Sequence, residues 1–344
     1  MTKVGIIGAT GYVGAELLRI LLNHKDVEVT ALSSVTFEGK QINEVYKNFY
    51  NKSDLVCGNM DEVVEKADVI FTALPHGLSE DIAAKCVKEG KVCIDMGADF
   101  RLTSEEQYKY WYGKDFKHPE LHKDCVYGLP ELNRDKIKNT KLIANPGCFC
   151  TSIELGLMPL MKNSMVETKG IICDSKSGAT GAGRGLALNT HFTELNENFA
   201  PYKIGCHRHT PEIEEILSVM ANDEVTVTFT PHLLPMSRGI ISTIYATPKE
   251  TPNLEEIHAL YTEFYKDEPF VNVLPLGEIA CTKSVRLSNY CDISLHLNQR
   301  KDQIIVVSTI DNMVKGAAGQ AVQNMNIIMG FDEKEGLNFI APAF

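Results

Sequence analysis

Cys148 is the residue through which this chain could do covalent chemistry. It stands in Asn145-Pro146-Gly147-Cys148-Phe149-Cys150-Thr151-Ser152. The apolar run 141–144 before it reads as a strand, and residues 153–161 after it read as a helix with a proline late in it. The thiol is therefore expected on a tight strand-to-helix turn. Unpaired N–H groups at a helix start stabilise a thiolate, and they can hold the oxyanion that forms when sulfur attacks a carbonyl. Gly147 leaves space for a substrate beside the backbone. The competing reading is a buried structural cysteine, one of ten in the chain.

A second group of chemistry-bearing residues is Gly205-Cys206-His207-Arg208-His209-Thr210-Pro211-Glu212. Thr210 suits an N-cap and Pro211 the first helical position, so His207 and His209 fall just before a helix. Three readings are open. One histidine could be the acid/base partner of Cys148, the His-x-His pair with Cys148 or Cys150 could bind zinc, or both could be ordinary loop histidines. Arg208 between them favours an anion over a cation. Two further anion sites are suggested. From Ser177 to Arg184, a serine, three glycines and an arginine fall within eight positions, which reads as a cradle of backbone N–H groups closed by a guanidinium, against a plain linker. Arg101 follows a strand end, either as an anion ligand or as a surface arginine paired with Asp99. His76 reads as a positioning or packing residue.

These groups need elements to hold them. Strand 4–7, the turn Gly8-Ala9-Thr10-Gly11-Tyr12-Val13-Gly14 and an amphipathic helix after it form a variant dinucleotide-binding fingerprint. Gly8 permits the turn, Gly11 lets a pyrophosphate approach the backbone, and Gly14 lets helix and strand pack closely. A second strand, 27–32, ends at Ser33-Ser34 rather than at the carboxylate usual for NAD, which favours NADP, with Lys40 the nearest downstream cation. Strand 67–74 ends in Pro75-His76-Gly77, at the kind of strand edge where nicotinamide sites lie. Another strand spans 91–96, and residues 103–141 read as loops and short helices. From Val225 onward, strands at 225–230, 239–246, 271–274, 291–297 and 303–310 describe an antiparallel or mixed sheet, one face of which could serve a subunit interface. Residues 311–329 read as one helix with small residues on one side, returning to the first domain.

With 344 residues, two domains are expected. The composition, 44% hydrophobic and 23% charged, is that of a soluble globular chain. A net charge of −11 disfavours nucleic acid and anionic membranes as partners while leaving room for a small anionic substrate held by local arginines. No secretory signal, bilayer-spanning run, disulfide framework or zinc ribbon is evident, and a reducing, cytoplasmic compartment is the expectation.

Taken in order, these motifs resemble the N-acetyl-γ-glutamyl-phosphate reductase family. The set is the Gly8–Gly14 turn, Leu74-Pro75-His76-Gly77, Gly97-Ala98-Asp99-Phe100-Arg101, Tyr127-Gly128-Leu129-Pro130-Glu131, Asn145-Pro146-Gly147-Cys148, Ser177-Gly178, Gly181-Ala182-Gly183-Arg184 and His207-Arg208-His209. It continues with His232-Leu233-Leu234-Pro235-Met236-Ser237-Arg238-Gly239 and Asp311-Asn312-Met313-Val314-Lys315-Gly316. The resemblance spans nearly the whole chain. It implies an α/β fold in two parts: an NADP-binding Rossmann domain (1–147 with 312–344) and an α+β catalytic and oligomerisation domain (148–311) like that of glyceraldehyde-phosphate dehydrogenase. It also implies a homodimer or homotetramer.

For the site, the resemblance implies that Cys148 attacks an acyl phosphate to give a thioester, which NADPH reduces. His209 would serve as acid, and Glu212 would orient its imidazole. Cofactor contacts would come from Gly8, Thr10, Gly11, Tyr12, Val13, Gly14, Ser33, Ser34, Pro75, Ser177, Gly178 and Asn312. Arg101, Asn145, Arg184, His207, Arg208 and Arg238 would face the anionic substrate, and no metal is expected. Two departures stand out. Phe149-Cys150 replaces the family's more frequent Tyr-Pro, which adds a second thiol able to pair with Cys148 on oxidation. Val35-Thr36 stands where the family often has an arginine. Rival readings are a reductase of the homologous aminoadipyl phosphate of lysine biosynthesis, free or carried on a protein, and a non-catalytic NADP-sensing regulator. Aspartate-semialdehyde dehydrogenase is more distant.

Overall fold

The computed structural model describes every residue, Met1–Phe344, in two compact units. The first comprises Met1–Pro146 and Ala317–Asn338, the second Gly147–Gly316 and Phe339–Phe344. No helix is long and apolar enough to cross a membrane.

The first unit is built on seven strands: β1 (Thr2–Ile7), β2 (Val27–Ser33), β3 (Cys57–Gly58), β4 (Val69–Thr72), β5 (Val92–Asp95), β6 (Val126–Tyr127) and β7 (Leu142–Ala144). All pair in parallel, in the order β3-β2-β1-β4-β5-β7-β6. Every residue of β4 and β5 is buried, as their near-continuous apolar runs require of strands covered on both faces. The order reverses between β1 and β4, which opens a crevice at the C-terminal strand ends where such folds take ligands. Helices Glu105–Tyr112, Pro119–Asp124 and Pro130–Ile137 fill the stretch before β7.

The helix Gly319–Met329 belongs to this unit and is tied down by its polar face. Asn324 and Gln320 both donate to the carbonyl of Gly128, at 2.8 and 2.7 Å. A Cβ at Gly128 would come within 2.5 Å of Asn324 Nδ2, so the glycine is what admits this contact. His24 Nε2 meets Asn326 Oδ1 at 2.8 Å while its Nδ1 accepts the Asp26 amide, so a ring oriented by its own turn receives the returning helix.

The expected single helix over 311–329 is in fact broken. A π-helical turn, Val314–Ala318, precedes Gly319, and residues 312–316 stay with the second unit rather than the first. The cause is Asp311. Its fully buried carboxylate accepts the amides of Met313, Val314 and Leu287, and its carbonyl accepts the Gly316 amide five residues on.

The second unit carries β8 (Ile171–Gly178), β9 (Ala200–Pro201), β10 (Val227–Leu234), β11 (Ile240–Ala246), β12 (Val271–Val273), β13 (Cys291–Leu297) and β14 (Ile304–Ile310), in the order β12-β13-β14-β11-β8-β10-β9. The sheet is mixed: β8–β10 and β12–β13 run parallel, the other neighbours antiparallel. β10 extends four residues past its expected end because it stays in register with β8 as far as Gly178. Against this sheet lies the helix Cys148–Lys162, buried from Phe149 to Met161. It approaches closely: a Cβ at Gly156 would stand 3.0 Å from Ile244 and 3.3 Å from Ser308. Pro159 has no N–H for the Leu155 carbonyl, and the Tyr265 hydroxyl donates to that carbonyl instead, at 2.5 Å. Tyr261 does the same for Gly156 at 2.6 Å. The helix therefore continues through its proline.

Candidate active site

Cys148 is the first residue of its helix, and Gly147 is the N-cap with extended backbone. A cap without a side chain leaves the first-turn amides open toward the thiol. The Gly147 amide itself is taken: it donates to Glu212 Oε1 at 2.7 Å, both groups buried. Gly316 also approaches the nucleophile, since a Cβ there would lie 2.9 Å from Cys148 Cβ, closer than real Cβ atoms come. Sequence reasoning did not place Gly316 at the site. Its presence in Asp311–Gly316 was the available signal, but the π-helical turn that brings it to Cys148 has no signature of its own.

His209 caps the helix Thr210–Ala221, one residue earlier than the expected Thr210 cap. One His209 ring nitrogen, a Glu212 carboxylate oxygen and Cys150 Sγ lie within 4.8 Å of one another. Glu212 thus stands beside the imidazole, as expected for an orienting group, and also holds the Gly147 turn, which was not foreseen. His207 differs in kind from His209. Burial, followed by the neighbouring His209, pushes its pKa down to about 2, and its Nδ1 accepts the His209 amide at 3.1 Å. It is a neutral ring with its hydrogen on Nε2, unsuited to give a proton at neutral pH. Phe149, Phe229 and Tyr202 pack edge-on around it at 5.8, 5.2 and 5.6 Å. Tyr202 is a neighbour that the sequence did not disclose. Its hydroxyl pKa is raised by burial and by the charge of Cys148.

The arginines separate by environment. Arg101 is buried, and its Nε and Nη2 donate to the carbonyls of Asn145 (2.8 Å) and Met96 (3.0 Å). Pairing with Asp99 is not found. Asp99 accepts the amides of Gly77 and Ser79 and the Tyr108 hydroxyl, and so shapes the Pro75-His76-Gly77 turn. Asn145 is buried beside Arg101, donating to Ala317 O and accepting from Asn324. In the second unit, Arg238 Nη1 reaches Asp311 at 3.3 Å, Arg208 is half-buried beside His207, and Arg184 is exposed.

The anion-cradle reading of Ser177–Arg184 needs correction at its first half. The amides of Gly178, Ala179 and Thr180 are spent on carbonyls of Gly239, Met236 and Ser237, and the Ser177 hydroxyl turns to Gly178 O. The neighbouring segment 236–239 is close enough to claim them: a Cβ at Gly178 would fall 2.7 Å from its backbone. Asn312 braces the same loop, accepting from Gly239 and donating to Thr180.

The first unit offers a cradle that fits a dinucleotide. Gly8 has φ +82°, and side chains at Gly8 or Gly14 would come within 2.3 Å of the Ala73 or Gly8 carbonyl. Gly11 caps the helix Tyr12–Leu21 without a side chain, and a Cβ there meets only Gly8 O at 3.4 Å. Gly8 and Gly14 therefore serve the fold, and Gly11 is left to serve a ligand. Tyr12 and Val13 begin that helix, and Pro75 is exposed after β4. Ser33 and Ser34 are less open than expected. Both are buried, and the Ser34 hydroxyl is shared with Thr10 at 2.6 Å and accepts the Phe37 amide, because Thr10 closes over the end of β2.

Residues 3–140 match the family model described as semialdehyde dehydrogenase, NAD binding domain, and residues 148–312 match semialdehyde dehydrogenase, dimerisation domain. The chain is 71% identical over 344 residues to the N-acetyl-gamma-glutamyl-phosphate reductase of Clostridium botulinum strain Eklund 17B and 72% identical to that of Clostridium beijerinckii, each alignment covering all of both chains. The counterpart from Pelobacter propionicus is 52% identical over 99% of each. Among solved structures, aspartate semialdehyde dehydrogenase II of Vibrio cholerae, complexed with ASA, superposes with a TM-score of 0.74 at 19% identity, over 96% of this chain and 98% of that one. A Candida albicans aspartate semialdehyde dehydrogenase with NADP gives 0.69 at 18%, over 96% and 98%. At these identities the likeness is one of fold.

Proposed function

The chain belongs to the N-acetyl-γ-glutamyl-phosphate reductase family, and on that premise we propose that it reduces N-acetyl-γ-glutamyl phosphate to N-acetylglutamate 5-semialdehyde with NADPH, releasing phosphate, in the arginine pathway. The observation that carries this reading is that one carboxylate, Glu212, holds the Gly147 amide immediately before Cys148, the first residue of its helix, and also stands beside His209.

Cys148 attacks the acyl carbon, an S–C bond forms and phosphate leaves. Bound NADPH supplies the hydride that reduces the thioester by two electrons. First-turn amides hold the oxygen as it gains charge, and His209 protonates it. Collapse breaks the S–C bond and returns that proton through His209 to the sulfur. Glu212 keeps the imidazole in place and stabilises its charged form. Arg184, Arg208 and Arg238 supply positive charge for the substrate's phosphate and carboxylate, His207 lines the pocket, and Arg101 and Asn145 fix the end of β7. In the first unit, the Gly8–Gly14 turn and Pro75 serve the cofactor. NADP over NAD rests on β2 ending in Ser33-Ser34 with no carboxylate there. The second unit's likeness to a dimerisation domain supports a homodimer or homotetramer, and the acidic chain with no membrane-crossing helix supports a cytoplasmic enzyme without nucleic-acid partners.

The reverse reaction tests this. Purified protein with N-acetylglutamate semialdehyde, NADP and phosphate should form NADPH, and should not do so without phosphate. Signal only with the aminoadipate homologue would move the substrate to the longer acid. Silence with both, in protein that binds NADPH, would refute the reading. Cys148→Ser should abolish turnover and keep NADPH binding.

A further inference from the structure

Cys150 is the thiol that the proposed chemistry leaves unused. It is fully buried two positions beyond the nucleophile, with Sγ 3.9 Å from the His209 carbonyl. The disulfide with Cys148 that the sequence allowed is excluded by the helix, because side chains two apart point away from each other. What Cys150 meets comes from the helix that starts beside His209. Its Sγ, a His209 ring nitrogen and a Glu212 carboxylate oxygen are mutually within 4.8 Å.

A sulfur, a nitrogen and an oxygen donor in one buried cluster are the ligand set of a borderline-soft divalent ion. Tetrahedral zinc wants its donors about 3.3–3.8 Å apart, so closing this cluster takes a shift of about an ångström. The Gly147 hydrogen bond does not forbid it, since a carboxylate has two oxygens and about four lone-pair directions. His207 has no part, because its Nδ1 is given to the His209 amide. The zinc reading of the sequence therefore changes its members: Glu212 takes the place of the second histidine.

We propose that Cys150, His209 and Glu212 form an inhibitory zinc site. On binding, the Cys150 thiol releases its proton to solvent, and water takes the fourth position. The inhibition rests on His209 being the proton carrier of the reaction proposed above: a ligated imidazole has no lone pair for a proton, and turnover stops.

The test uses the full chain and cobalt(II), whose bond to a thiolate gives a near-ultraviolet charge-transfer band. Wild type and Cys148→Ser should each bind one equivalent with that band. Cys150→Ser should lack the band and bind about 100-fold more weakly. In the reductase assay, zinc should stop wild type at roughly 100-fold lower concentration than it stops Cys150→Ser, and a chelator should restore the rate. Cys150→Ala serves as a second variant if the serine does not fold. A band lost in Cys148→Ser and kept in Cys150→Ser overturns the site, as does equal zinc sensitivity of wild type and both Cys150 variants. The cobalt readout needs no turnover, so a chain that binds cobalt through Cys150 yet reduces no acyl phosphate would refute the functional reading and leave the site standing.

Discussion

Glu212 Oε1 accepts the Gly147 amide at 2.7 Å, linking the turn that carries Cys148 to the helix that His209 caps. One carboxylate thus fixes the approach to the nucleophile and stands beside the imidazole. Glu212→Gln keeps an acceptor for the amide but removes the charge that favours an imidazolium. Its melting temperature should hold while kcat falls about 100-fold or more. Glu212→Ala should lose about 1–3 kcal/mol of stability as well, because a buried amide is left unpaired. Equal kcat in wild type and the glutamine variant would remove Glu212 from the mechanism.

Gly316→Ala would place a methyl 2.9 Å from Cys148 Cβ. Relief requires the nucleophile or the π-helical turn to move, and small displacements of a nucleophile are costly to rate. At least a tenfold loss of kcat is expected, with the NADPH dissociation constant unchanged. Steady-state kinetics beside a fluorescence titration of NADPH would check both.

The glycines of the dinucleotide turn should not behave alike. Gly14→Ala drives a methyl into the Gly8 carbonyl and should reduce folded yield and cofactor binding together. Gly11→Ala has room in the fold, so it should melt like wild type and weaken NADPH binding, since only the ligand meets the added methyl. If Gly11→Ala binds NADPH normally, the pyrophosphate does not approach there.

His207 makes stability depend on pH. Its pKa is about 2 in the fold, against 6.5 when exposed. Between those values the unfolded chain binds a proton that the native chain refuses, so stability falls as pH drops, by about 1.4 kcal/mol per unit below 6.5. Asp95 acts oppositely. Desolvation, then Asp99, raise it from 3.8 to about 6, so across that window the native chain binds the extra proton and gains stability on acidification. Comparing wild type with His207→Gln cancels the Asp95 contribution. Urea unfolding at pH 7 and pH 5 should show wild type losing about 2 kcal/mol more than the variant. A pH-independent difference between them would mean that His207 titrates normally.

Tyr265 and Pro159 should be coupled. Tyr265→Phe leaves the Leu155 carbonyl without its donor and should cost about 1–3 kcal/mol. With Pro159→Ala in the background, the helix supplies its own N–H, and the cost of removing the hydroxyl should shrink. Additive effects in the double variant would refute the exchange.

Much of this was legible in the residues. Gly8 and Gly14 after an apolar strand specify a turn and a helix start, because only glycine tolerates the positive φ of the first and the close contacts of both, and local sterics act within a few residues. The turn at Gly147-Cys148 was legible because an apolar strand run ends just before it and a helical pattern begins just after it. Covered parallel strands such as β4 declare themselves by unbroken apolar runs, and the second half by its succession of strands, although the helix Leu254–Tyr265 falls between β11 and β12. What tertiary structure decided were relationships between segments far apart in the chain. Arg101, which could have served an anion or Asp99, is buried against backbone carbonyls. His207 and His209, alike in sequence, are separated by burial into a neutral ring and a ring beside a carboxylate. Glu212 reached Gly147, Gly316 reached Cys148, and Cys150 met His209 only because a buried helix, a capped helix and a π-helical turn converge. A hydrogen bond or a desolvation depends on three-dimensional neighbours, and no spacing along the chain records those.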